Sequence, residues 1–339
     1  MAELDEADET RLAGRRRDTL RLVTGAEKLD VVVVGAGIAG IAAAAELNEA
    51  NLRVRVIERA NSVGGRMTSA RLGDARFDHG AQFFTARSRQ FKLLIEMAES
   101  AGVVTEWTKG FDAEPDGFSR WCGVDGMADL VDFMSSGLDV QLGVSASDLR
   151  AHPARAYVVT PPLPQTMAIL QESNLLPSPS LTTRLTKKIT YRPTIAVLVT
   201  YTGSTAMASH GGSQTPDHEA ISFVGDNFAK GVSAERSLTF HLSEPWSNDL
   251  WDASDQNIID QTWVAFADRA GSAKLVTAAV YRWRYAGPTR RWPSATEVWG
   301  DAPVVALAGE AFKGPKVEVA FLSGQAAAKA VIERLAIAK

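Results

Sequence analysis

The 339-residue sequence predicts a divided α/β protein in which a Rossmann-like nucleotide-binding domain is interrupted by an inserted α+β domain built on a mostly antiparallel sheet. Three observations carry this. The run Val31 to Val34 has the length and β-branched content of a buried parallel strand, and it passes through Gly35-Ala-Gly37-Ile38-Ala39-Gly40 into the alanine-rich Ile41 to Leu47, which reads as helix. A second strand, Arg53 to Ile57, ends in Glu58, 23 residues after Gly35. Much later, β-branched and aromatic runs at Thr194 to Tyr201 and Ala278 to Tyr285 indicate a separate sheet.

At a strand-to-helix turn the three glycines have distinct tasks. Gly35 allows the tight turn, Gly37 lets backbone approach a pyrophosphate, and Gly40 lets helix and strand pack closely, while the helix N-terminus offers free N–H groups to phosphates. Glu58 is placed to accept from an adenosine ribose hydroxyl. Three spaced glycines alone are weak evidence; the strand, helix and acid around them make the pattern specific.

The same stretch continues Arg59-Ala-Asn-Ser-Val-Gly64-Gly65-Arg66-Met67 and then Phe77-Asp-His-Gly80-Ala81-Gln82-Phe83-Phe84-Thr-Ala-Arg87. The Gly-Gly-Arg-Met turn resembles the second signature of the FAD-dependent amine oxidase superfamily. Phe77 to Arg87 resembles more specifically the renalase-like branch. The resemblance implies non-covalent FAD, with glycine amides and Arg66 at the pyrophosphate, and with Gly80 to Phe83 beside the cofactor.

Composition bounds the alternatives. With 45% hydrophobic residues the chain can build large cores, and a net charge of −4 gives no global attraction to nucleic acid or an anionic membrane. The lone Cys122 excludes an internal disulfide and a multi-cysteine zinc site, which fits a cytoplasmic location. Five histidines without metal-ligand spacing predict no metal site. No window reaches the roughly 18 apolar residues of a membrane span. Residues 1–28 mix acids and bases without an apolar core, so they read as an extension rather than a secretory signal, and Arg15 to Arg17 as a solvated charge run or a small interaction patch.

Along the chain, Phe91 to Ala101 reads as a helix stopped by Gly102, and Arg120-Trp121-Cys-Gly123 to Met127 as a tight turn with a packed Trp or a substrate contact. Leu138 to Leu142 and Ala156 to Thr160 are short strands, Glu172 to Ser180 a linker candidate, and Thr202 to His218 a mobile loop. Asn227, Lys230, His241, Trp246 and Ser247 stand where the resemblance implies residues of the sheet above the flavin. By itself, His241 reads as a satisfied strand histidine or a catalyst. Asp255 to Ala270 is helical, and Trp283 and Tyr285 share one strand face as core or as an aromatic wall. Asn227, His241, Trp283 and Tyr285 are the expected substrate-pocket lining.

At the C-terminus, strand Val304 to Ala308 precedes Gly309-Glu310, and Val317 to Leu335 is an amphipathic helix. The resemblance implies Gly309 and Glu310 on the ribityl and phosphate region and Val317-Glu318 at the flavin pyrimidine, where a helix N-terminus stabilises reduced-flavin charge. Pro315 and Val319 depart from the glycines usual in relatives, and the stretch between the two short middle strands is shorter than theirs. Lys316 stands where aromatic-cage amine oxidases have a tyrosine. The expected FAD domain is 29–80, 138–169 and 285–339, and the substrate domain 81–137 and 170–284. The expected activity is oxidation of an isomeric dihydronicotinamide dinucleotide with dioxygen as acceptor. The alternatives are an amine oxidase and a flavin binder with reduced or lost turnover. No nucleic-acid or membrane partner is expected.

Overall fold

The structure, a computed structural model, describes residues 29–111, 116–215 and 218–337; the extension expected over 1–28 lies outside them. The chain opens with β1 (Leu29–Val34), α1 (Ile38–Glu49) and β2 (Val54–Ile57), followed by a ribbon of β3 (Ser69–Leu72) and β4 (Ala75–Asp78). α2 (Arg89–Ser100), the hairpin β5 (Val104–Thr108) and β6 (Arg120–Gly123), and α3 (Asp129–Ser135) come next. β7 (Val140–Gln141), β8 (Ala154–Val159), α4 (Leu163–Glu172) and α5 (Pro179–Lys188) lead into the second sheet, β9 (Thr190–Thr202), β10 (Gly212–Gln214), β11 (Ile221–Asp226) and β12 (Ser237–Leu242). Three helices, α6 (Glu244–Asp249), α7 (Asp255–Ala265) and α8 (Ala267–Ala270), precede β13 (Lys274–Arg290), and β14 (Glu297–Trp299), β15 (Val304–Leu307) and α9 (Val317–Ile337) close the chain.

The first sheet has the order β14-β15-β8-β1-β2-β7, parallel except for β14. Val31 and Val33 of β1 enter one core and Val32 and Val34 the other, which is why the strand reads as a continuous apolar run. α1 is buried nearly all round because α9 crosses it so closely that a Cβ on Gly324 would lie 2.0 Å from the Ala39 carbonyl oxygen. Phe91, Ile95, Val104, Met127 and Leu130, from the stretch expected in the insertion, pack into this same first core. The expected α/β class with a second, antiparallel sheet is what the chain forms.

That second sheet runs β10-β11-β12-β9-β13. Leu238, Phe240 and Leu242 of β12 face Ile258 and Phe266 of the helices, whereas Ser237, Thr239 and His241 point the other way. Two sequence expectations are corrected. Glu172 to Ser180 is a tight corner rather than a linker: Ser173 ends α4 with its hydroxyl on the Ile169 carbonyl, and Ser178 caps α5 with Pro179 in the first turn. Thr202 to His218 is not all loop, since Gly212 to Gln214 pair with β11.

A fully buried ion pair joins the β3–β4 ribbon to the second sheet. Lys230 Nζ lies 2.5 Å from Asp78 Oδ2 and 2.5 Å from the Gln82 carbonyl oxygen, and both side chains are 0% exposed. Asp78 Oδ1 accepts from Ser69 Oγ at 2.7 Å and from the Met127 amide at 2.8 Å. Lys230→Met is expected to destabilise the protein by about 3–5 kcal/mol, because a buried carboxylate is left without its counter-charge. The Asp78→Asn/Lys230→Met pair should recover more than half of that loss in urea unfolding; strictly additive losses would show that the pair is not coupled.

Candidate active site

The parallel sheet sends the C-terminal ends of β1, β2, β8 and β15 to one edge, and the predicted glycine turns meet there. Gly37 forms a bridge with Gly64, and the Gly64 amide donates to the Ala36 carbonyl at 2.9 Å. The abutment requires glycine. A Cβ on Gly40 would sit 1.9 Å from the Gly35 oxygen, and Gly64 and Gly65 have φ of +115° and +57°. Gly37 is the N-cap of α1, which has no side-chain cap and no acid in its first turn. Among the described residues, the amides of Ala39, Gly65 and Arg66 have no backbone acceptor. Converging free amides at a helix N-terminus form an anion cradle.

Glu58 holds this edge together. Its carboxylate accepts the Ala36 amide and the Ala60 amide, each at 2.8 Å, and its remaining lone pairs are open to a hydroxyl. Arg59 beside it is exposed. Arg66 and Glu310, 244 positions apart, form a bidentate pair with both contacts at 2.5 Å, and Arg66 Nη1 also donates to the Tyr285 carbonyl at 3.2 Å. Burial would lower the Arg66 pKa, but the Glu310 charge and hydrogen bonds outweigh it and raise it. Met67 is buried, and Gly309, with φ +134°, turns the chain from β15 toward Glu310. Val317 opens α9, whereas the buried Glu318 carboxylate turns to the Arg87 amide (3.1 Å) and the Ser88 amide (2.5 Å) at the start of α2.

The segment after β4 forms the wall facing the second sheet. The Ala81 amide bonds to the Arg66 carbonyl at 2.8 Å, an approach that only glycine permits at position 80, where a Cβ would lie 2.1 Å from that oxygen. Gln82 Nε2 donates to the Asp78 carbonyl at 2.5 Å, while Gln82 Oε1 is buried without a donor. A bound group presenting an N–H would satisfy it. Phe83 packs edge-on to Phe111, with ring centres 5.1 Å apart.

His79, which the motif contains but sequence reasoning did not single out, is the hub. Its Nδ1 faces the Thr68 carbonyl at 2.8 Å, so Nδ1 carries the proton. Its own carbonyl accepts Trp283 Nε1–H at 2.9 Å and faces His241 Nε2 at 3.3 Å. The ring lies 4.6 Å from Tyr281 and 5.1 Å from Trp283. Burial holds both imidazoles neutral: it lowers the His79 pKa, and it takes His241 down to about 4, helped by the neighbouring His79, Lys230 and Arg192.

Two expectations about the pocket lining differ. Asn227 is fully buried, with Oδ1 accepting the Asp78 amide at 3.2 Å and Nδ2 donating to Thr239 Oγ1 at 3.1 Å, so it braces the wall from behind. Trp283 and Tyr285 do not share a face, because a bulge between Trp283 and Gly287 breaks the alternation. Trp283 goes to His79 and Tyr285 to Tyr191, at 5.6 Å. Cys122 is fully buried, and burial pushes its thiol up to about 11.

Comparison with known proteins places this geometry. Residues 33–99 match the family described as an NAD(P)-binding Rossmann-like domain. The chain is 47% identical over 77 residues to a putative flavin-containing monoamine oxidase of Mycobacterium tuberculosis, which is 23% of this chain and 16% of that protein. It is 41% identical over 54 residues to a 1-hydroxycarotenoid 3,4-desaturase of Flavobacterium sp., 16% of this chain and 11% of the relative. The chain thus spans less than a fifth of the length of the curated relatives it matches. Among solved structures, putrescine oxidase with bound putrescine superposes with a TM-score of 0.67 at 16% identity, covering 90% of this chain and 99% of that one. A putative protoporphyrinogen oxidase from Exiguobacterium sp. gives 0.65 at 13% identity, covering 93% and 100%. The chain therefore has the amine-oxidase-type fold, a Rossmann-like parallel-sheet domain carrying an antiparallel sheet.

Proposed function

We propose that the chain is a FAD-dependent oxidoreductase, renalase-like in activity, that oxidises an isomeric dihydronicotinamide dinucleotide with dioxygen as the electron acceptor. The observation that carries the cofactor is the abutment of the two glycine turns under an uncapped helix N-terminus. The cradle fits a pyrophosphate, Glu58 a ribose hydroxyl, and the donor-less Gln82 Oε1 an N–H of a bound ring. Bound FAD would supply the two-electron acceptor at its N5 and return those electrons to dioxygen as peroxide.

The chain's own contribution is orientation and electrostatics. Gly35 to Gly40 and Gly64 to Met67 bind phosphates through backbone. Arg66 and Glu310 form a mutually neutralising pair whose guanidinium is held in place at the edge of the cradle. Trp283, bonded to the His79 carbonyl and packed against the His79 ring, fixes the wall beside which a flat donor would lie. The groups around it are neutral or cationic: His79 and His241 are uncharged, and Asp78 is neutralised by Lys230. This favours an anionic dinucleotide over a cationic amine, and Lys316 removes the second wall of an aromatic cage. The amine-oxidase reading is supported by the identity to the putative monoamine oxidase and by the superposition on putrescine oxidase.

Anaerobic stopped-flow absorbance of the purified protein should show the oxidised flavin band bleaching with isomeric dihydronicotinamide dinucleotides, but not with normal NADH or a panel of amines, and recovering in air. Bleaching by amines alone would replace this reading with the amine-oxidase one, and a protein that neither carries nor takes up FAD would remove both. The neutral imidazoles have a second consequence. With folded pKa values below the ordinary 6.5, stability is full above pH 6.5 and is lost as pH falls toward 4, because the unfolded histidines protonate first. Urea unfolding at stepped pH should show a shallower loss for His241→Gln than for wild type; equal slopes would contradict a neutral His241.

A further inference from the structure

We propose that a basic face beside the cleft docks the protein on an anionic lipid bilayer. The net charge of −4 conceals a strong asymmetry: Ser173 to Pro216 and Ala270 to Thr296 contain no Asp or Glu. Parts of these stretches meet in space. α5 ends in Lys187 and Lys188, and one turn earlier the Arg184 guanidinium lies 5.3 Å from the centre of the Trp292 ring. The Trp292 amide donates to the Ala311 carbonyl at 2.8 Å, and its carbonyl accepts the Lys313 amide at 3.0 Å, which ties the loop before α9 to the same spot. Arg291 Nη1 lies 3.4 Å from where a Cβ on Gly314 would stand, and the Lys316 amide bonds back to the Gly314 carbonyl at 3.0 Å.

Arg184, Lys187, Lys188, Arg291, Lys313 and Lys316 are all exposed, and none forms an ion pair with a described residue. Of the nearby carboxylates, Glu310 is neutralised by Arg66, while Glu297 accepts Trp292 Nε1–H at 2.9 Å and keeps its charge against the six cations. Lys313 has φ +83°, a backbone conformation that costs a lysine free energy, on an exposed loop where glycine would be the easy choice.

The form of the face selects the partner. Its cations spread over a helix end and two loops instead of converging on one point, so they match an extended anionic surface and not a single small anion. Trp292, the ring among them, is buried under Arg184, which leaves no stacking platform for bases. Leu176, 40% exposed on the approach to α5, adds an apolar contact at the edge. At about 0.1 M salt a charge is felt only within roughly 10 Å, so a bilayer meets this face and not the chain average.

Co-sedimentation of the full chain with vesicles of phosphatidylcholine, alone or mixed with phosphatidylglycerol, tests the proposal. Binding is expected only to the mixed vesicles, falling with added salt, and weakened at least about ten-fold by Lys187→Glu/Lys188→Glu/Arg291→Glu. Lys92→Glu, on α2, should leave it unchanged. Thermal melts establish that the variants are folded, and the single Lys188→Glu substitutes if the triple variant is not. No sedimentation at low salt, equal sedimentation with both vesicle types, or wild-type binding by a folded variant would overturn the proposal, as would retention of inorganic polyphosphate without any vesicle binding.

Discussion

Taking Lys230 and Asp78 out of water is costly, and a dry ion pair is tolerated only when its remaining hydrogen-bonding capacity is met. Here it is met from several parts of the chain: Ser69, the Met127 amide, the Gln82 carbonyl and, at 4.9 Å, the Trp107 ring over the ammonium. The pair therefore fixes more than itself. It pins both ends of the turn from Asp78 to Gln82, and that turn carries the His79 carbonyl to which Trp283 is bonded. The seating of the β3–β4 ribbon on the second sheet, and with it one wall of the cleft, rests on this pair together with the Asn227 and Thr239 bonds to the Asp78 backbone.

A second constraint acts through backbone proximity. Helices α1 and α9 touch where Gly324 meets Ala39, so the N-terminus of α1 and the start of α9 come to the same sheet edge. Gly80 does the same for the chain above it by admitting the Arg66 carbonyl. Small residues let separate segments share a volume that side chains would fill. Into that edge the pairing of Arg66 with Glu310 brings a charge contact drawn from both ends of the chain.

Much of this was legible in sequence because the information was local. The first strand, the glycine turn and helix α1 follow from Val31 to Leu47, and Arg66 and Glu310 each stood out within their own motifs. Their contact did not, because nothing near either residue encodes a partner 244 positions away. Asn227 was read as lining because its neighbours resemble a pocket segment, while burial and a satisfied amide make it a brace. Ser173 and Ser178-Pro179 looked like a linker because the residues that cap helices are also those that populate loops. The alternation placing Trp283 with Tyr285 failed at a bulge that only pairing with β9 reveals. His79 lay in the quoted motif, but its importance comes from its carbonyl, which carries no residue-specific signal.

If the cleft releases peroxide, the protein is the first molecule that the product meets. Oxidation of cysteine proceeds through the thiolate, and a thiol pushed up to about 11 and sealed in the first core leaves on the order of one thiolate in ten thousand near neutral pH. The chain has no other cysteine. The burial of Cys122 would thus amount to built-in protection of the one thiol against the product.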